Sequence, residues 1–294
     1  MSVTGVYPPI ATPFTDGGAL DAPALAANIA RWNTTGLHGY VVAGSNGESP
    51  HLDDDEVATA VGVVRRAAVG KTVIAGTGRQ STQATIRLTK ACADAGADLA
   101  LVVNPSFFPG SLTAEVLAAH YVAVADASPI PILIYNVPKF THLNIPVAAV
   151  ARAATHPNIV GIKDSAGDIG QIIELLRACP SDFSVLLGNS PAFLSGLQVG
   201  ATGGILALAN VAPRECVAIY DLVAQGRLAE AKAIQFRLMP VGRAVTAGYG
   251  VPGLKAALDL LGYTGGSPRL PLRPLEPAKV EELRAILVEA GLLG

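Results

Sequence analysis

What most constrains this chain is a rhythm. Eight short apolar runs (Gly5–Ala11, Gly39–Ala43, Thr72–Ala75, Leu99–Val103, Ile132–Tyr135, Ile159–Lys163, Ser184–Leu187 and Gly203–Ala207) alternate with amphipathic stretches. The stretches cover Ala22–Asn33, Asp53–Ala68, Thr82–Ala95, Thr113–Ala127, Val147–Ala154, Ile169–Cys179 and Pro191–Val199, and the residues after Pro213 supply an eighth helix. Run starts recur roughly every 20–35 residues, the length of one strand–helix unit in a barrel of about 250 residues. The runs are apolar throughout rather than alternating, as expected of parallel strands covered on both faces. The expected fold is α/β, a (β/α)8 TIM barrel with a C-terminal helical extension. A doubly wound open sheet is the rival. It calls for a glycine-rich phosphate turn after the first strand, and that turn here is Thr12-Pro13-Phe14-Thr15-Asp16-Gly17-Gly18.

After Pro213 the pattern becomes purely helical, over Arg214–Ala224, Leu228–Val245, Gly253–Leu261 and Pro277–Ala290. The first of these closes the eighth unit. The expected division is therefore a barrel over residues 1–225 and helices packed on it over 226–294, with no linker of disordered composition between them. Asp168 with Gln171 has capping-box spacing, and Pro277 with Glu281 and Glu282 behind it reads as a helix start. Half of the residues are hydrophobic, enough for a large core. The formal net charge is -2 with lysine and arginine dispersed, which argues against a nucleic-acid or anionic-membrane surface. Cys92, Cys179 and Cys216 are odd in number and far apart, so a disulfide framework is not expected and a reducing cytoplasm fits. The opening residues carry no signal-peptide pattern, and no apolar run approaches the ~20 residues of a membrane span.

In a barrel, chemistry collects at the carboxy ends of the strands. The sixth run, Ile159-Val160-Gly161-Ile162-Lys163-Asp164, ends on a lysine. An ammonium there is costly unless it is paired or discharged, and a desolvated lysine is a candidate Schiff-base nucleophile. The plainer alternative is a lysine paired with Asp164 or Asp168 at a solvated strand end. Run two ends in Gly44-Ser45-Asn46-Gly47-Glu48, whose backbone N–H groups and Ser45 and Asn46 side chains can hold a carboxylate; Glu48 reads as structural. Run five ends in Tyr135-Asn136-Val137-Pro138, which places Tyr135 beside Lys163 at one height, within reach for proton exchange. Run seven ends in Gly188-Asn189-Ser190, where Asn189 is a candidate by position alone, and run eight contains Ile205.

Other features read as lures. Gly76-Thr77-Gly78-Arg79-Gln80-Ser81 lacks the third glycine of a dinucleotide fingerprint. His38, His51, His120, His142 and His156 show no metal-ligand spacing, so no metal is expected, and no G-x-S-x-G elbow is present.

Together these strand ends resemble the dihydrodipicolinate synthase / N-acetylneuraminate lyase family of class I, pyruvate-handling aldolases. The resemblance runs from about Gly5 to Leu275, on Gly44–Glu48, Tyr135–Pro138, Gly161–Asp164, and Gly203-Gly204-Ile205 leading to Ala209-Asn210. It implies a homo-oligomeric barrel, a dimer or tetramer, that acts on a small 2-oxo acid through an imine on Lys163 and uses no other cofactor. Tyr135 would move protons with Ser45, Ser45 and Asn46 would hold the substrate carboxylate, and Gly188 and Ile205 would line the pocket. Within the family the likeness is to 4-hydroxy-2-oxoglutarate aldolases, carried also by His156–Ser165 and Gly250–Lys255, and it makes Ser165 a substrate contact. Two positions depart from the synthase pattern. An arginine there follows Tyr-Asn-Val-Pro by two residues, where this chain has Phe140. A tyrosine borrowed across the subunit interface is matched by Phe107. A phenyl ring neither pairs with a carboxylate nor relays a proton, so the expected activity is cleavage of a 4-hydroxy-2-oxo acid to pyruvate. Arg79, Lys139 and His142 are the candidate partners for a charged substrate tail. A synthase or sugar-acid aldolase/dehydratase of the same family, and a non-catalytic 2-oxo-acid-binding paralogue, are the alternatives.

Overall fold

The computed structural model describes residues 2–294. Eight parallel strands, β1 (Gly5–Tyr7), β2 (Gly39–Val42), β3 (Thr72–Gly76), β4 (Leu99–Val103), β5 (Ile132–Asn136), β6 (Ile159–Asp164), β7 (Ser184–Leu187) and β8 (Gly203–Ile205), lie in the order β1-β8-β7-β6-β5-β4-β3-β2. Bonds from His38 N to Val6 O (3.1 Å) and from Val41 N to Pro8 O (2.9 Å) join the two ends. The result is a (β/α)8 TIM barrel. Its helices are α1 (Ala22–Trp32), α2 (Asp54–Ala67), α3 (Thr82–Asp94), α4 (Ala114–Ala127), the short α5 (Pro138–Thr141), α6 (Val147–Ala153), α7 (Ile169–Ala178), α8 (Phe193–Gln198) and α9 (Pro213–Ala224). They are followed by α10 (Leu228–Arg243), α11 (Gly250–Leu260) and α12 (Pro277–Glu289). No helix among the described residues is long and apolar enough to cross a membrane.

Two cores follow from the pleat. Tyr7, Val41, Ile74, Leu101, Leu133, Tyr135, Leu186 and Ile205 fill the barrel, while their strand neighbours Val6, Val42, Ala75, Val102, Ile134 and Leu187 pack outward against the helices. Where strands stop has local causes. The first apolar run is strand only to Tyr7, because Pro8 and Pro9 donate no ladder hydrogen bond; Pro9 keeps a single bridge to Val41. The last run ends at Ile205, and Ala207–Asn210 turns into a 3-10 helix. The expected Pro191–Val199 helix divides into a 3-10 turn, Ser190–Ala192, and α8. Asp168 does cap α7, accepting from Gln171 N at 3.3 Å, but Gln171 does not return the bond; its amide reaches Asp164 Oδ2 at 2.9 Å. A full capping box forms instead at Asp53 and Glu56. Pro277 opens α12, while Glu281 and Glu282 lie beyond its first turn.

The segment that follows α11 is tied to the barrel by partly buried contacts. Trp32 stacks on Tyr263 with ring centroids 5.1 Å apart and donates from Nε1 to Asn210 O at 3.0 Å. Asn28 pairs with the backbone of Thr264 in both directions, at 2.8 and 2.9 Å.

Candidate active site

Lys163 reaches the barrel interior through a register shift. Ile132 pairs with Ile159, but Leu133 pairs with Gly161, so Val160 is an extra residue on β6. Ile159 faces the helices; strict alternation from it would turn residue 163 outward as well. The bulge moves the phase by one, and Lys163 comes level with Tyr135, Asn136 level with Asp164. Lys163 is 3% exposed and its Nζ lies 4.0 Å from the centroid of the Tyr135 ring. Among the described residues no carboxylate lies within salt-bridge distance of it. The two aspartates that could have paired with it are otherwise engaged. Asp168 caps α7, and Asp164 accepts from Asn136 Nδ2 (2.7 Å), Gln171 Nε2 (2.9 Å) and Ala166 N (2.9 Å). Burial pushes the Asp164 carboxyl above its ordinary value, and those three hydrogen bonds act against the shift.

Tyr135 Oη and Ser45 Oγ are 3.3 Å apart. Ser45 opens a 3-10 turn, Ser45–Gly47, flanked by two non-glycine residues of positive φ, Ala43 at 53° and Glu48 at 59°. The turn can press this close to β3 because Gly76 has no side chain; a Cβ there would overlap the Ala43 carbonyl. Glu48 is structural, as expected, but holds more than backbone: its Oε1 is 2.7 Å from Nζ of Lys255 on α11.

The expected site residues separate into groups. Ser45, Tyr135 and Phe140 line one cleft of about 370 Å3, together with Arg79, Gln80, Val103, Asn104, Ser106 and Val137. Lys163 lies behind Tyr135, with Ser165 and Gly188 beside it: a Cβ on Gly188 would overlap Ser165 Oγ and come within 3.0 Å of Lys163 Cε. Asn46 belongs to the Ser45 turn and is partly buried, but is not among the residues lining the cleft. Ile205 is fully buried inside the barrel, level with Tyr7. Asn189 has a local task; its Oδ1 accepts from Ala192 N at 3.2 Å, and its amide abuts Gly167. Of the three cations considered for a substrate tail, only Arg79 lines the cleft, and it is already 2.9 Å from Asp54. Lys139 donates to Thr246 O at 3.2 Å, and His142 is exposed. Among the described residues no three His, Cys, Asp or Glu side chains are grouped as metal ligands.

The model of the dihydrodipicolinate synthetase family matches residues 2–290. This chain belongs to that family. It is 39% identical over 291 residues to the 4-hydroxy-tetrahydrodipicolinate synthase of Methanoculleus marisnigri, covering 98% of this chain and 99% of that one. It is 38% identical over 273 residues to the enzyme of the same name from an Exiguobacterium species, covering 92% of each. Among solved structures, dihydrodipicolinate synthase of Thermotoga maritima matches all of both chains with a TM-score of 0.93 and 34% identity. The chloride-inhibited dihydrodipicolinate synthase of Acinetobacter baumannii, complexed with pyruvate, matches with a TM-score of 0.94 and 31% identity, covering 99% of this chain and 100% of that one. The family is thus the expected one, and the relatives carry the synthase name, not that of the oxoglutarate aldolases.

Proposed function

We propose that the chain is a Schiff-base aldolase that cleaves a 4-hydroxy-2-oxo acid and releases pyruvate. One observation carries this reading: a buried lysine, without a carboxylate partner among the described residues, lies over the ring of a tyrosine whose hydroxyl meets Ser45. In the proposed sequence Lys163 Nζ attacks the C2 carbonyl, and loss of water leaves a protonated imine. The imine withdraws the C3–C4 bonding pair, so C3 becomes an enamine carbon while Tyr135 takes the C4 hydroxyl proton and the aldehyde departs. C3 is then reprotonated, and hydrolysis frees pyruvate and the amine. Ser45 and the N–H groups of its turn are proposed to hold the substrate carboxylate and Ser165 to contact substrate beside the lysine. All of this chemistry is carried by side chains and the covalent imine.

The relatives' name favours a second reading, in which the same pyruvate imine is the nucleophile of a condensation and the product is 4-hydroxy-tetrahydrodipicolinate. Phe140 at the cleft argues against an aldehyde with a distal carboxylate, such as that of the synthase, because a phenyl ring offers that group no charge-assisted hydrogen bond. Borohydride reduction with pyruvate, followed by peptide mapping, tests the shared step. An adduct on Lys163, absent from Lys163→Ala, is expected; a folded protein without adduct overturns both readings. Pyruvate release from a panel of 4-hydroxy-2-oxo acids, set against condensation of pyruvate with aspartate semialdehyde, decides the direction.

A further inference from the structure

We propose that the buried Glu48–Lys255 pair is a positioning strut through which the C-terminal helices set the turn carrying Ser45 and Asn46. Its functional consequence rests on the Schiff-base reading; the strut itself does not. Lys255 lies on α11, outside the eight strand–helix units, yet its side chain is 1% exposed and that of Glu48 is fully buried. Nζ is 2.7 Å from Glu48 Oε1, donates to Ser267 O at 3.0 Å, and lies 4.4 Å from the centroid of the Phe14 ring. The other Glu48 oxygen accepts from Arg269 N at 3.0 Å and is 3.1 Å from His51 Nδ1. All of these partners except Phe14 and His51 come from the C-terminal segment.

A buried carboxylate cannot leave its counter-ion without a large desolvation cost, so Glu48 is fixed to the helix that carries Lys255. Glu48 is also the residue at φ 59° that ends the Ser45–Gly47 turn, and its N–H bonds to Ser45 O at 3.2 Å. Left-handed backbone is disfavoured for glutamate and persists where its surroundings over-determine it. Thr12 Oγ1 fixes the same turn from β1's side, donating to Gly47 O at 2.7 Å. The strut therefore determines where the Ser45 hydroxyl and the turn's N–H groups stand relative to Tyr135.

The test compares wild type, Lys255→Met and Glu48→Gln in the full chain, each confirmed folded by circular dichroism. Amide hydrogen exchange in peptides covering Gly44–His51 is expected to rise at least tenfold, with β6 peptides unchanged. The pyruvate concentration giving half-maximal borohydride adduct on Lys163 is expected to rise by a similar factor, while the adduct at saturating pyruvate recovers. A purely structural pair lowers the melting temperature and moves neither readout in the folded protein; that result overturns the proposal. Faster turn exchange with unchanged pyruvate dependence overturns its functional half. If Lys255→Met does not fold, Glu48→Gln, which keeps shape and removes one charge, is read by the same criteria. If wild type gives no adduct at all, the Schiff-base reading fails, and the exchange measurement still decides the strut.

Discussion

Gly188→Ala is the most informative single substitution near the lysine. Gly188 follows β7 and donates from its N–H to Asp164 O at 2.6 Å, so its backbone is held against the end of β6. An alanine Cβ would overlap Ser165 Oγ and lie 3.0 Å from both Ser165 Cβ and Lys163 Cε. The hydroxyl can rotate away at a cost of about 0.5–1.5 kcal/mol if it leaves its rotamer. The two carbon contacts cannot be relieved by rotating Ser165, and carbon atoms prefer about 3.5–4.0 Å, so Lys163 Cε must retreat by roughly 0.5 Å. Overpacking of this kind costs about 1–3 kcal/mol. Displacement of a reacting nitrogen on that scale is expected to slow adduct formation with pyruvate by about 10- to 100-fold. Thermal unfolding and the rate of borohydride trapping would be measured side by side. The double substitution Ser165→Ala/Gly188→Ala removes the oxygen overlap but keeps the Cε contact, and should recover stability without recovering the rate. Wild-type trapping in Gly188→Ala would refute the reasoning. A full recovery of rate in the double variant would shift the effect from the lysine methylene to the serine hydroxyl.

Three further substitutions probe separate steps. Tyr135→Phe keeps the ring under Lys163 Nζ but removes the hydroxyl facing Ser45; turnover should fall by about 10²–10⁴ with the fold intact, and unchanged turnover would exclude Tyr135 as the proton carrier. Phe140→Arg places a guanidinium at the cleft and should tighten binding of carboxylate-bearing aldehydes by about 1.5–3 kcal/mol, read as a lower KM in condensation assays; no change would mean that the substrate tail does not reach this position. His120 is buried between helices, with Nδ1 2.9 Å from Thr82 Oγ1, and burial pushes its pKa from 6.5 down to about 4. The unfolded chain then takes up a proton before the native one does. Its contribution is fully present above pH 6.5 and is lost as pH falls toward 4, by about 3 kcal/mol in all. Urea titrations of His120→Leu should show a shallower fall across that window; an identical slope would refute the assignment.

The fold was legible because its signal is repeated. Leu99–Val103 and Ser184–Leu187 end where they were expected to, since each apolar run is closed by polar residues or glycine. The misplaced boundaries have backbone causes that propensity alone weighs poorly: the prolines after Tyr7, and the Ser190-Pro191 turn that separates Asn189 from α8. In the candidate site, Ser45, Tyr135 and Lys163 were singled out because each stands where a strand meets its loop, and the structure brings the three together. Asn189 stands at such an end too, but its carboxamide satisfies a local N–H, an outcome common for asparagine before a helical turn. The Asn136–Asp164–Gln171 network and the Glu48–Lys255 pair were not visible as partnerships. They join residues 28, 7 and 207 positions apart, and nothing in local periodicity encodes which polar groups will share a buried space.

The direction of Lys163 is a sharper case, because it depends on a count and not on a residue type. β6 is apolar on both faces, so its hydrophobic pattern carries no phase: shifting the strand by one residue leaves the burial of Ile159, Val160 and Ile162 acceptable. The two polar residues at its end discriminate between the phases: outward, Lys163 would meet the apolar layer between strands and helices, and inward, Asp164 would lose Asn136 and Gln171. The bulge at Val160 resolves this, and the backbone around it is fixed by Gly161, where a Cβ would overlap the Ser184 carbonyl of β7. A buried lysine is unfavourable in either direction, but inward its Nζ lies on the face of Tyr135, which lines the cleft. The same step that turns the lysine inward thus places its amine over the ring of the tyrosine whose hydroxyl meets Ser45, so the geometry of the candidate site is set by a single extra residue.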